Sequence, residues 1–412
     1  MRKQKLSLFA AFGIELEYMI VDKQTLEILP LSEQILKNSK GQTVSEIDDG
    51  ELAWSNELAA HILEIKNPAP VADLFALKNK IHASIKKTNK KLEKFNAMLL
   101  PSGMHPWTKS GKNIQLWPGE QNEIYKTYDR IFNCKGHGWF NVQSTHLNLP
   151  FANDKEFVLL HNAIRLVLPV LPALAASSPF VQGRHKKYYD NRLNFYGKNQ
   201  KIVPEISGQI IPEQYQSIQD YKTRLLQNMY KAVAKFDTEN VLQQEWLNSR
   251  GAIARFDRNA IEIRILDIQE APFADICITS IVASVIKTLI KQNITQVFST
   301  SELHKIYKST VIGSDMSIIK NKEYLQLFGI QQAVSGREFW KSLLQTHVDK
   351  NILKKCTEFT KTYQRFGSLS SRILSTTGHS PQKDSIRSVY LNLSRCLAAN
   401  KVYVPNENTD YL

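Results

Sequence analysis

The β-strand pattern is clearest in the stretch Phe12-Gly13-Ile14-Glu15-Leu16-Glu17-Tyr18-Met19-Ile20. Successive side chains of a strand point to opposite faces, so one face of this stretch is apolar and the other carries Glu15 and Glu17. Two like charges this close repel each other unless a cation joins them, and oxygen ligands on a rigid strand suit Mg²⁺. The alternative is a solvated strand face, which an isolated pair of carboxylates leaves open.

Length and charge set the first limits on fold and partners. With 412 residues the chain is long for a single hydrophobic core, so one large domain or two closely packed domains are expected. The net charge of +14 fits nucleotide and carboxylate substrates as well as nucleic acid or an anionic membrane. The lysines are spread along the chain, and no zinc-finger spacing or RNA-binding aromatic motif occurs. We therefore do not expect a nucleic acid partner.

Cysteine usage and hydropathy indicate the compartment. The four cysteines lie far apart, without a C-x-x-C motif, which predicts a reducing cytoplasm. The basic N-terminus and the apolar run after it lack a small-residue cleavage site, so they predict a first strand and not a signal peptide. The most apolar later stretch, residues 157–176, contains His161, Arg165 and Pro169. It predicts a buried, kinked helix and not a membrane span.

Hydrophobic periodicity predicts the other elements. Strands are expected over residues 6–22, 27–30, 99–103, 139–149 and 260–266. Helices are expected over residues 73–98, 154–178, 213–236, 239–249 and 272–292, and the chain from 300 to 400 is mostly helical. Strands that come early and are separated by long helices indicate an α+β fold.

Two further sets of carboxylates are candidate metal ligands. Glu262 shares a strand face with Arg264, although such a pair is more often a surface salt bridge of small energy. Glu57 and Glu64 flank six residues, and this odd separation places them on opposite faces of one straight strand. Either the segment bends, for example at a bulge, or only one of the two reaches a site.

Histidine and arginine complete the candidate set. His146 and Asn148 share a strand face, but a single histidine is usually structural and is a less usual ligand for Mg²⁺ than oxygen. Guanidinium groups bind phosphate and carboxylate with two prongs, and arginines recur in polar segments at Arg184, Arg192, Arg255, Arg258 and Arg264. The P-loop, the dinucleotide-binding glycine motif, H-E-x-x-H and G-x-S-x-G do not occur. A nucleotide-binding enzyme with this sequence would therefore need a fold other than those that these motifs mark.

Five sequence blocks occur in a fixed order. They are Gly13-Ile14-Glu15-Leu16-Glu17-Tyr18, Leu63-Glu64-Ile65, Thr145-His146-Leu147-Asn148, Ser178-Pro179-Phe180 and Ile261-Glu262-Ile263-Arg264-Ile265-Leu266-Asp267. In these blocks the chain resembles the glutamate–cysteine ligase family, including the carboxylate–amine ligases of its second group. The resemblance implies the glutamine-synthetase-type fold, a curved and largely antiparallel sheet flanked by helices, whose concave face holds metals and ATP. It also implies a catalytic region at 1–295 and a helical C-terminal region at 296–412 packed on the same domain.

The resemblance also implies roles for individual residues. The family's metal-ligand positions match Glu15, Glu17, Glu57, Glu64, His146 and Glu262. Arg264 is similar to the arginine that contacts phosphate, Arg192 to a substrate- or phosphate-binding arginine, and Arg258 is expected to join them in binding ATP. One departure is His146-Leu147-Asn148, where many members of the second group carry His-x-His. This departure leaves the subfamily open.

The implied activity is ligation of a carboxylate to an amine through an acyl phosphate, with ATP and Mg²⁺, or Mn²⁺ in its place. Glutamate and cysteine are the expected substrates, as in glutathione biosynthesis. Open alternatives are another acid or amine, a phosphotransferase of guanidino type, and a nucleotide-binding regulatory module without turnover. The expected partners are small molecules, not nucleic acid or membrane, and a homodimer is compatible with the sequence.

Overall fold

The structure is a computed structural model that describes residues 5–111, 114–294 and 296–405. Its strands are β1 Gly13–Asp22, β2 Glu46–Asp49, β3 Leu52–Asn56, β4 Ile62–Lys66, β5 Ala97–Leu100, β6 Ser144–Pro150, β7 Ala252–Arg255, β8 Ala260–Asp267, β9 Ile318–Ile319 and β10 Val334–Ser335. The predicted regions 1–295 and 296–412 are described only in part. Residues 1–4, 295 and 406–412, at their ends and boundary, lie outside the described residues.

The helices lie between and after these strands. Up to residue 291 they are α1 Ser32–Ile35, α2 Lys78–Leu92, α3 Asn122–Phe132, α4 His137–Phe140, α5 Asp154–Val167, α6 Leu171–Ala175, α7 Asn191–Tyr196, α8 Ile218–Tyr221, α9 Asn228–Val233 and α10 Pro272–Lys291. Beyond it they are α11 Thr300–Gly313, α12 Lys322–Leu327, α13 Gly336–Thr346, α14 Lys350–Lys355, α15 Thr357–Phe366, α16 Leu369–Thr377 and α17 Lys383–Ala399.

The centre of the fold is an antiparallel sheet built around β1. Among the described residues it has eight strands in the order β2-β3-β4-β1-β6-β8-β7, with β5 also paired to β1. Every strand pair in it is antiparallel. The α+β prediction with a largely antiparallel sheet and a helical C-terminal part is therefore confirmed.

One face of the sheet is covered by the hydrophobic core. Ile14, Leu16 and Tyr18 of β1 are almost fully buried there with Leu147 of β6, as the alternation of the opening stretch predicts. Helix α10 packs against this apolar face, and Thr145 of β6 donates a hydrogen bond of 2.6 Å to Asp275 near its start. The apolar side of each strand thus fixes which side chains the opposite face presents.

A β-bulge interrupts the pairing of β6 with β8. Thr145 pairs with Leu266 and Leu147 pairs with Ile263, so two residues of β8, Arg264 and Ile265, lie opposite His146 alone. Bulges of this kind re-aim side chains and are common beside active sites. The strict alternation predicted for residues 260–266 is therefore wrong after Arg264, because the bulge shifts the remaining residues by one position.

The C-terminal helices are anchored on the helices that follow β6. Trp340 of α13 donates to the carbonyl of Val170 at 2.8 Å, and Tyr363 of α15 donates to the carbonyl of Ala173 at 3.0 Å. A buried ion pair joins Arg372 of α16 to Glu270, just beyond β8. These contacts tie α13, α15 and α16 to the chain segments that flank the sheet.

Four predicted elements differ clearly from the structure, and of the strand predicted over 27–30 only an isolated bridge between Val21 and Ile28 is found. The predicted helix over 239–249 is wrong, because the Asp237 carboxylate accepts hydrogen bonds from the amides of Val241 and Leu242 and fixes a turn with positive φ at Asn240. The strand predicted over 139–149 begins only at Ser144, after helix α4. The strand predicted from residue 6 begins at Gly13.

Two helical stretches of the described chain are long and apolar enough to cross a membrane by length and composition alone. They are Asp154–Ala175 and Pro272–Lys291, both with a mean hydropathy of 1.8. In each of them 83% of the apolar window is buried inside the fold. Burial of this extent is what core helices of a soluble protein show, so the two stretches are weak evidence for a membrane span.

Three buried histidines predict an early onset of acid destabilisation. Burial lowers the pKa of His61 to about 3, of His105 to about 4 and of His161 to about 3. The unfolded chain takes up protons at these groups below about pH 6.5, whereas the folded protein does not until pH 3–4. Their stabilisation is therefore complete above pH 6.5 and is lost as the pH falls toward 4, at about 1.4 kcal/mol per pH unit for each histidine.

We expect urea unfolding at pH 7, 6 and 5 to show this loss of unfolding free energy. His161 contacts the rings of Phe157, Tyr215 and Tyr221, and neither ring nitrogen has a hydrogen-bond partner among the described residues. His161→Phe should therefore fold and should reduce the pH slope by about 1.4 kcal/mol per pH unit. A slope equal to that of the wild type would contradict the assignment.

Candidate active site

Four strands bring acidic side chains together on the face of the sheet opposite the core. We call it the acidic face; its residues are Glu15 and Glu17 of β1, Glu64 of β4, His146 of β6 and Glu262 of β8. Strand register explains the convergence, because Glu15 lies opposite His146 and Glu17 lies opposite Glu64. Residues directly opposite each other in antiparallel strands have Cβ atoms roughly 5 Å apart.

The acidic face contains two overlapping groups of candidate metal ligands. One group is Glu15, His146 and Glu262, and the other is Glu17, Glu64 and His146. Within each group the ligand atoms lie within 4.8 Å of one another. Carboxylate oxygens with one imidazole form a donor set suited to Mg²⁺ or Mn²⁺. The structure thus brings together five of the residues predicted as metal ligands, and His146 links the two groups.

His146 lies at the centre of this cluster. Its Nδ1 is 3.0 Å from Glu15 Oε2 and 3.7 Å from Glu262 Oε1, and its Nε2 is 3.7 Å from Glu17 Oε1. Burial works to lower the pKa of His146, but the hydrogen bond to Glu15 and the charges of Glu17 and Glu262 raise it overall. The surrounding carboxylates therefore favour the protonated ring, whereas coordination of a metal ion would require the neutral ring.

Glu15 is held in its ionised form. Burial works to raise the pKa of its carboxyl group, but His146 and the Arg258 guanidinium outweigh burial and keep this pKa well below its usual range. Arg258 Nη1 is 3.1 Å from Glu15 Oε1, and Asn148 Nδ2 donates to the same oxygen at 3.2 Å. Arg258, which the resemblance assigns to ATP binding, thus lies beside the first candidate ligand.

Two arginines flank Glu262. Arg255 Nη1 donates to Glu262 Oε2 at 3.0 Å, and Arg264 Nε lies 3.0 Å from Glu262 Oε1. The Arg264 contact is an ion pair without hydrogen-bond alignment, because Arg264 Nε has no hydrogen-bond partner among the described residues. The guanidinium of Arg264 is half-buried beside a cluster of carboxylates. A guanidinium in such a place can bind a polyanionic ligand.

Glu17 and Glu64 are held by shorter polar contacts. The backbone amide and the hydroxyl of Ser144 both donate to Glu17 Oε2, at 2.7 and 2.9 Å. Lys66 Nζ is 2.9 Å from Glu64 Oε1, and Ser55 donates to the same oxygen. Burial and the charge of Glu15 still raise the pKa of Glu64, despite the opposing effect of Lys66. The four carboxylates of the acidic face therefore lie among four basic side chains, Lys66, Arg255, Arg258 and Arg264, with His146 between them.

Glu57 lies near this cluster but outside both ligand groups. It follows β3, whereas Glu64 lies within β4, so the chain turns between the two residues. Of the two alternatives that the odd separation leaves open, the structure shows a bend, formed by the connection between β3 and β4. Burial and the charges of Glu17 and Glu64 raise the pKa of Glu57 well above its usual value. Its predicted role as a metal ligand stays a prediction.

Arg192 is placed differently from the other arginines. Its side chain is 2% exposed, its Nε lies 2.5 Å from Asp267 Oδ1, and both terminal nitrogens reach the carbonyl of Arg264. Asp267 also accepts hydrogen bonds from Ser177 and Ser178. These contacts place the Arg192 guanidinium behind Arg264, where it holds the end of β8.

A cavity of about 460 Å³ opens beside Glu15. Its charged lining includes Lys66 and Arg258, and its apolar lining includes Ile14, Pro68 and Pro150. The volume lies in the range of small-molecule sites, which combine apolar walls with a few polar groups. The lining also includes Lys5 and the acids Glu15, Glu46 and Asp257, so the acidic face adjoins a cavity in which three cations balance three acids.

Several residues of this site were not selected from the sequence. Ser144 and Lys66 each lie two residues from a selected ligand, His146 and Glu64, and so share its strand face. That spacing was a usable signal for both. Arg255 was noted only as one of five recurrent arginines, and its contact with Glu262 could not be predicted, because it depends on the pairing of β7 with β8.

Solved structures show where this fold occurs. The crystal structure of a glutamate–cysteine ligase from Francisella tularensis in complex with AMP is similar to this chain, with a TM-score of 0.62. The similarity covers 96% of this chain and 89% of that one, at 12% sequence identity. The fold is therefore that of a ligase structure, and an identity this low shows the fold alone.

Sequence relatives identify the family. The model of glutamate–cysteine ligase family 2 matches residues 11–309, so this chain belongs to that family. An uncharacterised protein from Archaeoglobus fulgidus is 33% identical over 393 residues, which are 95% of this chain and 100% of that protein. A Rubrobacter xylanophilus protein, provisionally named glutamate–cysteine ligase 2-3, is 26% identical over 189 residues. This match spans 45% of this chain and about half, 48%, of that protein.

We expect Glu15→Gln and Glu262→Gln to weaken Mn²⁺ binding by about tenfold or more, because each removes a charged oxygen ligand. Calorimetric titration of the purified variants with Mn²⁺ measures the change. Glu51→Gln is the matched control, since Glu51 is exposed and pairs only with Lys80 at the edge of the sheet. Wild-type affinity in both Glu15→Gln and Glu262→Gln would remove the metal assignment.

Arg192→Met should lower the free energy of unfolding by about 3–5 kcal/mol, because it leaves the Asp267 carboxylate buried without its cation. Arg224→Met, which breaks an exposed pair with Asp220, should change it by less than about 1 kcal/mol. Urea unfolding of both variants measures the difference. Unchanged stability of Arg192→Met with complete loss of activity would instead assign Arg192 to ligand binding.

Proposed function

We propose that the protein is an ATP-dependent ligase that joins a carboxylate to an amine. The observation that carries the proposal is the convergence of Glu15, Glu17, Glu64, His146 and Glu262 beside Arg264 and a cavity that Lys66 and Arg258 line. Membership of glutamate–cysteine ligase family 2 supports the same reaction class.

The proposed reaction has two steps. An oxygen of the substrate carboxylate attacks the γ-phosphorus of ATP, and ADP leaves. The nitrogen of the amine then attacks the carbonyl carbon of the acyl phosphate; phosphate leaves, and the amine loses a proton as the amide forms. Negative charge is spread over the transferred phosphoryl group, so stabilising it is the main task of the site.

The residues of the acidic face have distinct tasks in this proposal. Glu15, His146 and Glu262 would hold one Mg²⁺, Glu17 and Glu64 a second, with Glu57 as a further candidate ligand. Bound Mg²⁺ neutralises phosphate charge and orients the phosphoryl group. Arg264 would contact the transferred phosphoryl through its two terminal nitrogens, which make no hydrogen bond or ion pair among the described residues, while its Nε stays beside Glu262.

The cavity beside Glu15 is the proposed nucleotide site. Its apolar walls suit the flat base, and Arg258 and Lys66 suit the phosphates. The AMP in the similar Francisella tularensis structure supports a nucleotide ligand for this fold. Arg192 would act as a positioning residue, because its bonds to the Arg264 carbonyl fix the strand that presents Arg264.

Glutamate and cysteine are the proposed substrates. Support comes from the family and from relatives that carry the name of this activity, although the Rubrobacter xylanophilus relative is matched over only about half of its length. A different acid or amine is the second candidate. It is favoured by Asn148, which takes the place of the second histidine that the resemblance leads one to expect and contacts Glu15.

A nucleotide-binding module without turnover is a weaker candidate. Several buried carboxylates that repel each other, as the raised pKa values of Glu57 and Glu64 show, cost stability that binding alone does not require. A phosphotransferase of guanidino type would need no second amine site. Its signature is ADP release with one acceptor alone.

The direct test is ADP release from the purified protein with Mg²⁺, ATP, glutamate and a panel of amines that includes cysteine. We expect ADP only when both an acid and an amine are present. ADP with a single acceptor supports the phosphotransferase, and no ADP with any pair, despite bound nucleotide, supports the module. Mass spectrometry of the product identifies the amide.

Arg264→Lys should lower kcat by about 100-fold or more, because lysine cannot replace the planar, two-pronged guanidinium at a developing phosphate charge. Arg395→Lys is the control, since Arg395 is exposed on α17 and contacts only Asn392. Both variants are compared at saturating ATP, so that the change reports the chemical step. Wild-type kcat in Arg264→Lys would exclude the proposed role of this residue.

A further inference from the structure

A second cavity lies on the opposite side of the sheet from the acidic face. It has a volume of about 360 Å³ and is lined by three segments distant in sequence: the turn at 72–75, one side of α10, and residues 346–355 around the start of α14. Phe9 and Phe12, which precede β1, complete its wall. The family match ends at residue 309, so the wall formed by residues 346–355 lies outside it.

The charged groups of this cavity do not balance. Asp73 caps the turn at Phe75 and pairs with Lys355 at 2.7 Å, and Asp349 caps α14 through the amide of Asn351. Among the residues that the structure describes, Lys287 and Lys291 of α10 form no ion pair, although both line the cavity. The net charge available to a ligand is therefore positive.

The walls between these cations are apolar and aromatic. Phe9, Phe12 and Phe75 are half-buried, and they line the cavity with Val348 and Ile352. Lys287 Nζ lies 5.8 Å from the centre of the Phe9 ring, and Lys355 Nζ lies 4.8 Å from that of Phe75. Two of the cations that line the cavity thus lie over aromatic rings of the same lining.

Small side chains of α10 keep the cavity open. Ser280, Ala283 and Ser284 form one side of it, at positions that follow each other along the helix surface. The Ser284 hydroxyl oxygen accepts a hydrogen bond from the amide of Asp349 at 2.9 Å, so its hydrogen stays free to donate. An anionic oxygen is the natural acceptor for such a hydroxyl beside Lys287.

We propose that this cavity is a second small-molecule site, which binds an organic anion with an apolar body and one carboxylate or phosphate group. The anionic group meets Lys287 and Lys291, and the apolar body packs against Phe9, Phe12 and Phe75. The volume lies at the lower end of the range for small-molecule sites, which matches a compact ligand. The proposal uses none of the residues of the acidic face.

The test is ligand-observed NMR titration of the full chain with phenyl phosphate, phenylacetate and the uncharged benzyl alcohol. We expect the anions to bind more tightly than benzyl alcohol, and Lys287→Glu to weaken them by about tenfold, since it reverses one of two unpaired charges. Ala283→Met, which fills the cavity, should abolish binding. Binding of a single anion, with the same dependence on Lys287, supports the proposal and identifies the head group.

Two charge reversals are controls. Arg258→Glu alters the cavity beside Glu15, and Lys90→Glu alters an exposed face of α2; neither should change the affinity for the anions. Loss of binding in Arg258→Glu alone would assign the anions to the nucleotide cavity and overturn the proposal. Equal affinity for benzyl alcohol and the anions, or wild-type affinity in both Lys287→Glu and Ala283→Met, would also overturn it.

Discussion

Repulsion between buried carboxylates is the constraint around which this protein is built. Glu15, Glu17, Glu64 and Glu262 would separate in an unfolded chain, and the pairing of β1 with β4 and β6, together with that of β6 with β8, keeps them close. Burial of the apolar face of the same strands stabilises the sheet and offsets the free-energy cost of this repulsion. One alternation of side chains therefore produces both the core and the site, and neither can be altered alone.

Basic groups contact every carboxylate of the acidic face. His146 lies at the centre, while Lys66 contacts Glu64, Arg258 contacts Glu15, and Arg255 and Arg264 contact Glu262. In the proposed ligase, divalent cations would take the place of some of these partners, so metal binding would exchange one set of charge contacts for another.

The sequence predicts much of this arrangement because a strand's alternation is local. It identifies Glu15 with Glu17 and Glu262 with Arg264, and the order of the five sequence blocks predicts the fold, which is confirmed. Local rules fail where the position of a residue depends on how the chain connects its strands, as with Glu57, which follows β3, and Glu64, which lies in β4. They also fail for Arg192, whose partner Asp267 lies 75 residues away.

The bulge opposite His146 sets a strict count along β8. Because Arg264 and Ile265 together face one residue of β6, Glu262 points to the acidic face and Asp267, five positions later, points the same way. In a regular strand an odd separation would turn Asp267 into the core and detach it from Arg192. The spacing between these two acids therefore works like a reading frame: loss of a single residue between them would turn Asp267 away from Arg192, which also holds the Arg264 carbonyl.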